Sequence, residues 1–395
     1  MDCSLRFVVW IIAVFAGAFT PRIVWAGADA TPPVERNSPA EITSLVRQLG
    51  SASFSERERA TRELIGRGIA CRDALQQATR DPDAEIRNRA RTILATVSES
   101  DFRDRLDAFA ADYDGRGGQT LPGWQRVSSV LGNSRLTRQL FVEMQRAEPE
   151  LMEAYEQGGK AASDALDSRC RIIFEQLTHV AGGDGPVSIG TLASLLLVGS
   201  APDVTVEEQL AFQLYSWLIY RPAFHKNASS GPWSGPLKRV LALWIVKDST
   251  PAATAQNLTF AASYELKSEG LVLATRLLNG EMTTPQMRQL ALVTLGRFGD
   301  KQQLATVEKQ LQDATPCGAI QLKSTPRQVE VQIRDVALAV ALHLTGQIPR
   351  DYGAPRVEPN PQGYFQVAAV AFPTPAARDE ALKLWQAWRA AHAEP

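Results

Sequence analysis

The sequence predicts an all-α protein: an α-solenoid-like stack of short helical hairpins with an irregular helical middle and a capping C-terminal helix. Helix-capping signals recur at close spacing near the N-terminus, and one helix pattern occurs three times along the 395 residues. The composition, with 45% apolar and 22% charged residues, is that of a chain that buries a core. This length suits two or three domains or one elongated repeat array.

Residues 1–26 have the layout of a secretory signal peptide. A polar start that ends in Arg6 is followed by the uncharged run 7–19 and by a small residue, Ala26, at the expected cut. A retained membrane anchor is the alternative, but the run is shorter than the roughly 20 residues that a membrane-spanning helix needs. We therefore expect an exported protein, periplasmic or secreted, with no transmembrane span after cleavage. Residues 27–37 form a leader linker.

The segment 38–112 is predicted to form the N-terminal hairpins. The sequence Ser-Pro-Ala-Glu at 38–41 is a capping box with proline in the first turn, and the segment 53–56 repeats the box. Two helix starts so close together imply short helices, and the glycines at 66 and 68 end the second one. Further helices are expected over about 71–79 and 81–97.

One helix pattern, an apolar residue, Arg, two variable residues and Ala, occurs at 86–90, 287–291 and 333–337. The last two copies are spaced as in a two-helix repeat and predict C-terminal hairpins over 281–348. The apolar residue and the alanine lie four apart on one helix face, where alanine lets a neighbouring helix approach closely. The arginine lies off that face and is expected to be either solvated or paired, with Asp83 as the candidate partner of Arg87 in the first copy.

The segment 81–90 resembles the second-helix signature of HEAT-type repeats. More specifically, the chain resembles a group of exported HEAT-like proteins of unassigned role in planctomycete bacteria. The resemblance implies stacked helical hairpins and supplies no catalytic residues. The segments that carry it are 45–50, 121–124, 140–144, 333–338 and 344–346.

The segment 113–280 is predicted to be helical without a clean repeat. Its glycine-rich stretch 114–118 marks a loop, and the strongly apolar stretch 192–198 predicts a buried core helix because it is too short to cross a membrane. Seven aromatic residues lie between 212 and 244, where two helices should flank a Gly/Pro/Ser-rich loop at 229–236.

The last segment, 349–395, is predicted to be Pro-rich at first, with a short strand around Phe365. Thr374, followed by proline, then starts a terminal helix. One face of this helix should pack against the preceding repeat, as an end-capping helix does. The residues of that face are Ala381, Leu384, Trp385 and Trp388.

Motifs that carry chemistry are not evident in the sequence. The histidines, at 179, 225, 343 and 392, lack zinc-site spacing, and Arg116 occupies the position where a calcium loop starting at Asp112 needs an oxygen ligand. We expect no metal and no cofactor. The net charge of −1 and the mixed signs of the charged helices favour no nucleic-acid partner. Cys71, Cys170 and Cys317 are expected to be buried thiols; one disulfide with a third, free thiol is the alternative.

Two tryptophans are candidate binding residues. Trp233 lies among glycines and prolines, which exclude a buried helix and favour a surface loop; its alternative is a core position among Phe212, Tyr215 and Trp244. Trp124 is either an exposed contact or the residue that anchors the preceding loop to the core. The sequence therefore predicts a non-catalytic protein-interaction scaffold in an exported compartment, binding another protein or an envelope component. An enzyme with a dispersed site in the helical middle is the alternative, and no catalytic residue is nominated.

Overall fold

The computed structural model describes residues 38–179, 187–214, 222–247, 250–321, 328–354, 357 and 366–392. It is mostly α-helical, which confirms the predicted class. Within these ranges, every helix is too short or too polar to cross a membrane. The predicted signal peptide, leader linker and strand around Phe365 fall outside the described ranges.

The chain divides into two compact units, residues 1–101 and 102–395. The predicted domain boundaries at 112, 280 and 348 stay predictions. The helices that begin in the first unit are α1 (Pro39–Gln48), α2 (Phe54–Arg67), α3 (Arg72–Ala78) and α4 (Ala84–Ala111).

The capping residues of the first unit act only in part as predicted. The Ser38 hydroxyl accepts a hydrogen bond from the Glu41 N–H at 3.3 Å and starts α1. Helix α2 starts where predicted, but without a capping bond from Ser53. The Ser51 hydroxyl instead accepts from the Ser53 N–H at 3.1 Å and donates to the Glu56 carboxylate at 2.5 Å, so the predicted second capping box is wrong.

Helix α4 is longer than predicted and ends at Ala111 instead of near Val97. The residues that follow Val97 include good helix formers and no glycine or proline, so nothing in them stops the helix. Leu106 and Phe109, three positions apart, are both buried in the core of the second unit. Burial of this second apolar stripe stabilises the added turns.

The remaining helices begin in the second unit. Their bounds are α5 (Trp124–Leu131), α6 (Arg135–Ala147), α7 (Pro149–Gln157), α8 (Gly159–His179), α9 (Ile189–Ser200), α10 (Glu208–Leu214), α11 (Pro222–Ser230), α12 (Ser234–Val246), α13 (Pro251–Ser263), α14 (Lys267–Asn279), α15 (Pro285–Phe298), α16 (Leu304–Glu308), α17 (Ile333–Thr345) and α18 (Pro375–Ala391).

A β-hairpin interrupts the helices, and the sequence analysis did not anticipate it. Strand β1 (Pro316–Gln321) pairs antiparallel with β2 (Gln328–Gln332), with Gly318 opposite Val331 and a register shift next to Pro316. Strand β2 leads directly into α17.

The predicted core helix is confirmed as α9. Every residue from Gly190 to Gly199 is buried, and the helix packs against α6, α8 and α12. Gly190 allows the closest approach, because a Cβ there would lie 2.1 Å from the carbonyl oxygen of Glu143 in α6. This helix has no polar face, as is typical of a helix enclosed by others.

The predicted face of the recurring pattern is also confirmed, since Ala90, Ala291 and Ala337 are all fully buried. The arginines beside these alanines lie off the face and have polar partners. Arg288 pairs with Asp313, and Arg334 donates to the Gln332 side chain at 2.7 Å. Arg87 donates to the carbonyl oxygens of Asp81 and Pro82, both at 2.7 Å, rather than to the predicted Asp83, whose carboxylate accepts from the first N–H groups of α4.

The terminal helix α18 begins as predicted, with the Thr374 hydroxyl accepting from the Ala377 N–H at 3.2 Å. Ala381 and Trp385 are buried, but Leu384 is exposed and does not share their face, so this part of the prediction is wrong. A buried ion pair adds to the packing: the Arg378 guanidinium contacts the Asp335 carboxylate of α17 at 2.6 Å.

The three described cysteines, Cys71, Cys170 and Cys317, are buried free thiols, which agrees with the expected core role. Burial raises the pKa of Cys170 to about 12 and that of Cys317 to about 11. Neither group is poised to act as a thiolate nucleophile.

Candidate functional site

Trp124, one of the two predicted binding residues, is the first residue of α5 and is only 7% exposed. Its indole meets the Phe109 ring edge-on at 5.0 Å between centroids and the Phe141 ring at 5.2 Å. This position agrees with the alternative that Trp124 anchors the preceding loop to the core.

Trp233 immediately precedes α12 and is half-buried against the core of the second unit. The predicted loop at 229–236 is shorter than expected, because α11 continues to Ser230 and α12 already starts at Ser234. Pro236 lies in the first turn of α12, where its missing N–H costs no helical hydrogen bond. Among the three residues predicted to surround Trp233 if it lies in the core, Trp244 is buried. The side chains of Phe212 and Tyr215 fall outside the part of the chain that the structure describes.

An arginine that the sequence analysis missed lies under the loop before Trp124. Arg138 of α6 is almost fully buried, and its guanidinium stacks 3.9 Å from the centroid of the Phe109 ring and 5.0 Å from that of Trp124. It donates to the Phe109 carbonyl oxygen at 3.2 Å and pairs with the Asp112 carboxylate at 3.4 Å. The signal available in the sequence was its position three residues before Phe141, on the apolar face of α6.

Asp112 organises this loop. Its carboxylate accepts from the Gly117 N–H at 2.7 Å and from the Gln119 N–H at 3.3 Å. The bond from Gly117 is the largest cause that lowers the pKa of Asp112, and the charge of Arg138 lowers it further. The Asp112 carboxylate, which stands at the first position of the calcium-loop pattern, therefore binds backbone N–H groups of its own loop.

Gly115 also fixes the path of the loop. Its φ of +70° lies in the left-handed region, and a Cβ at this position would come within 2.5 Å of the Asn133 side chain. Asn133, in the turn between α5 and α6, in turn accepts a hydrogen bond from Arg138 at 3.4 Å. The loop is thus packed against this turn and held by a buried ion pair.

The ordered loop displays large side chains to solvent. Tyr113 is 60% exposed, and the side chain of Arg116 is 88% exposed. The guanidinium of the exposed Arg135 lies 5.8 Å from the centroid of the Tyr113 ring. Leu136, 42% exposed, follows it on α6. The loop and the first turn of α6 therefore expose an aromatic ring, two guanidinium groups and an aliphatic side chain.

Arg239 of α12 extends this surface. It is exposed and donates to the carbonyl oxygen of Leu131, the last residue of α5, at 2.7 Å. This contact places it beside the turn against which the loop packs. We call the set Tyr113, Arg116, Arg135, Leu136 and Arg239 the Tyr113 surface.

The sequence contains one signal for the Tyr113 surface that the overall composition does not reveal. The segment 115–142 contains four arginines and no acidic residue. Two of the four form ion pairs within the fold: Arg126 pairs with Asp203, and Arg138 pairs with Asp112. The other two, Arg116 and Arg135, belong to the Tyr113 surface.

A cavity of about 350 Å³ lies over α7 and α8, in the helical middle where an enzymatic site was the alternative. Its buried Glu148 receives two hydrogen bonds from Arg169, at 2.6 and 2.9 Å, and one from the Thr191 hydroxyl at 2.8 Å. Because these groups satisfy one another, the arrangement joins the corner of α6 and α7 to α8 and α9.

An open groove of about 660 Å³ runs along α18 and is lined by Trp385, Leu311 and Leu382. The Glu308–Arg389 ion pair, 3.0 Å between nitrogen and oxygen, crosses between its walls. The groove carries both signs of charge on its lining. Because of these mixed charges, this second surface indicates no particular class of ligand.

A histidine and a tyrosine meet in the helical middle. The Nδ1 atom of the exposed His225 lies 3.4 Å from the hydroxyl of Tyr264, whose pKa is raised by burial. The next residue, Glu265, has a φ of +58°, a strained value for a residue other than glycine.

Comparison with protein-family models, with curated proteins and with solved structures finds no match to this chain. Across the residues that the structure describes, no group of three or more His, Cys, Asp or Glu side chains is arranged to hold a metal ion. The fold and the surfaces described above are therefore the basis for inferring function.

Proposed function

We propose that the protein is a non-catalytic interaction scaffold in an exported compartment and that it binds another protein through the Tyr113 surface. One observation carries the proposal: a buried ion pair, Arg138 with Asp112, holds a loop that presents Tyr113 and Arg116 to solvent. Tyrosine and arginine are, with tryptophan, the side chains enriched at the energetic centres of protein interfaces.

The rigidity of the loop supports this role. A flexible loop loses backbone conformational freedom when binding orders it, at about 1–2 kcal/mol for each residue that becomes fixed. Here the backbone is already fixed by Asp112, by Gly115 and by contact with Asn133. More of the contact energy of Tyr113 would therefore appear as affinity.

The finer architecture that we propose is a HEAT-like stack of helical hairpins. In support, α13 packs on α14, α14 on α15 and α15 on α17, as neighbouring hairpin helices do. Resemblance to the exported planctomycete group and the signal-peptide pattern of residues 1–26 support export. Mass spectrometry of the mature protein tests export: we expect an N-terminus near Gly27, and an intact Met1 in soluble protein contradicts it.

Site-specific photo-crosslinking in the native envelope tests the binding role. A benzophenone amino acid in place of Tyr113 is expected to give a discrete adduct with another protein. The matched control places the same group at Phe54, an aromatic residue of α2 that is 65% exposed. Equal adduct patterns at both positions, or no adduct at Tyr113, would contradict a binding role for this surface.

The enzyme alternative has one observation in its favour, the His225–Tyr264 pair beside the strained Glu265. A panel of p-nitrophenyl ester, phosphate and glycoside substrates tests it. Turnover that is lost in the Tyr264→Phe variant, with folding unchanged, would favour the enzyme. Absence of turnover in the parent would leave this pair without a catalytic role towards these substrate classes.

A further inference from the structure

We propose that the segment bound by the Tyr113 surface is an acidic peptide of a partner protein, with carboxylates on either side of an apolar or aromatic side chain. This inference rests on the proposed function and specifies the chemistry of the partner. Its evidence is the charge of the surface, the apolar groups among the charges and the way the guanidinium groups are held.

The surface has an excess of positive charge that the fold does not neutralise. Arg135 and Arg239 have no ion pair among the residues that the structure describes. Arg116 is 3.6 Å from Asp114, but both side chains are exposed, and such pairs contribute little. The three guanidinium groups of the Tyr113 surface thus have a single ion-pair partner within the described ranges, Asp114, on a chain whose overall net charge is −1.

Guanidinium groups favour carboxylates as partners. Each guanidinium can donate two parallel hydrogen bonds to one carboxylate, a geometry that adds specificity to the charge attraction. Arg135 is stacked near the Tyr113 ring, and Arg239 is tied to the Leu131 carbonyl oxygen, so each is already oriented. Acidic side chains of a partner would therefore meet oriented donors.

The apolar part of the surface favours a peptide over a simple polyanion. Tyr113 lies beside Arg135, and Leu136 of α6 and Val130 of α5 are also exposed. These groups contribute only if the ligand brings apolar contact area as well as charge. Nucleic acids usually meet many more phosphate-binding cations than the three found here.

Selection of displayed random 12-residue peptides on the immobilised mature protein tests the inference. We expect the enriched peptides to carry an excess of Asp and Glu and at least one Phe, Tyr, Trp or Leu. One enriched peptide, synthesised with a fluorophore, then gives dissociation constants for the parent and two variants. The test variant is Arg116→Glu with Arg135→Glu. The control variant, Arg62→Glu with Arg72→Glu, makes the same charge change at exposed arginines of the first unit.

The expected result is a dissociation constant at least about tenfold higher for the test variant and unchanged for the control, with the affinity falling as salt rises. Peptides without acidic bias, no enrichment at all, or equal loss in both variants would overturn the inference. Preferential binding of phosphatidylglycerol vesicles or of a single-stranded DNA 20-mer over the peptide, lost in the test variant alone, would also overturn it.

The outcome can be separated from that of the proposed function. A crosslink at Tyr113 to a partner, together with peptides that lack acidic bias, would leave the scaffold role standing and reject the acidic segment. Acidic peptides that bind through Arg116 and Arg135, with no crosslink in the envelope, would support the binding chemistry and contradict the scaffold role in that compartment.

Discussion

Replacing Arg138 with methionine tests whether a buried ion pair holds the loop that carries Tyr113. The side chain is 2% exposed, so its removal leaves the 7%-exposed Asp112 carboxylate without its cation. Loss of one partner of a buried pair typically costs about 3–5 kcal/mol. Stacking of a desolvated guanidinium on aromatic rings adds about 2 kcal/mol, which methionine replaces in part by its own contact with the ring edges.

Two features reduce this cost. The Arg138–Asp112 distance of 3.4 Å is long for a charged hydrogen bond, and the Asp112 carboxylate keeps its bonds from Gly117 and Gln119. In addition, the Nε atom of Arg138 is buried without a partner, and that penalty disappears in the variant. We therefore expect a net loss of about 2–4 kcal/mol in the free energy of unfolding.

Urea unfolding followed by circular dichroism measures this loss. The matched control is Arg239→Met, which removes an exposed arginine with one hydrogen bond to a carbonyl oxygen and should cost about 1 kcal/mol or less. Arg138→Met should also abolish the crosslink at Tyr113 at temperatures where the protein stays folded. A loss below about 0.5 kcal/mol would show that the ion pair does not hold the loop and would refute the reasoning.

Other variants test the remaining features. Ala337→Asp buries an unpaired carboxylate and should cost several kcal/mol in a thermal melt, with Arg334→Ala much milder; a melting temperature within a degree or two of the parent would contradict the buried face. Trp233→Ala should cost about half of the 3–5 kcal/mol of a fully buried aromatic, because the indole is half-buried; the full loss, with partner capture intact, would reject it as a contact. The pKa of Asp112 is depressed in the folded state, so its stabilising effect should be present above the ordinary aspartate pKa of about 3.8 and be lost as pH falls through the lower folded pKa; an equal acid dependence of urea unfolding in Asp112→Asn would contradict this.

The buried faces of the helices could be predicted where the spacing of alanine or apolar residues along the chain indicates them. The alanines at 90, 291 and 337 indicated a buried face because spacing of four residues along a helix is a local property. The apolar stretch in α9 indicated burial for the same reason. The alternating sequence of β2, Gln-Val-Glu-Val-Gln, is a strand signal. The strand was not predicted because this signal is short and runs directly into the longer helical pattern of α17.

The candidate site could not be predicted, since it depends on contacts between distant residues. Asp112 and Arg138 lie in different segments of the chain, and the sequence around either residue does not identify the other as its partner. The capping box at Ser53 failed for a local reason, because the Ser51 hydroxyl contacts both the Ser53 N–H and the Glu56 carboxylate. The ring contacts that bury Trp124 come from α4 and α6, which no pattern close to Trp124 in the sequence specifies.

The enclosed helix α9 has a consequence for how the second unit opens. Its amide hydrogens are bonded within a helix that has no face towards water, so solvent reaches them only when the surrounding helices separate. Local fraying, which exposes the ends of surface helices, leaves these amides protected. In a hydrogen–deuterium exchange experiment, Leu195 and Leu196 should be among the slowest amides, and their exchange rates should report the free energy of opening the whole unit.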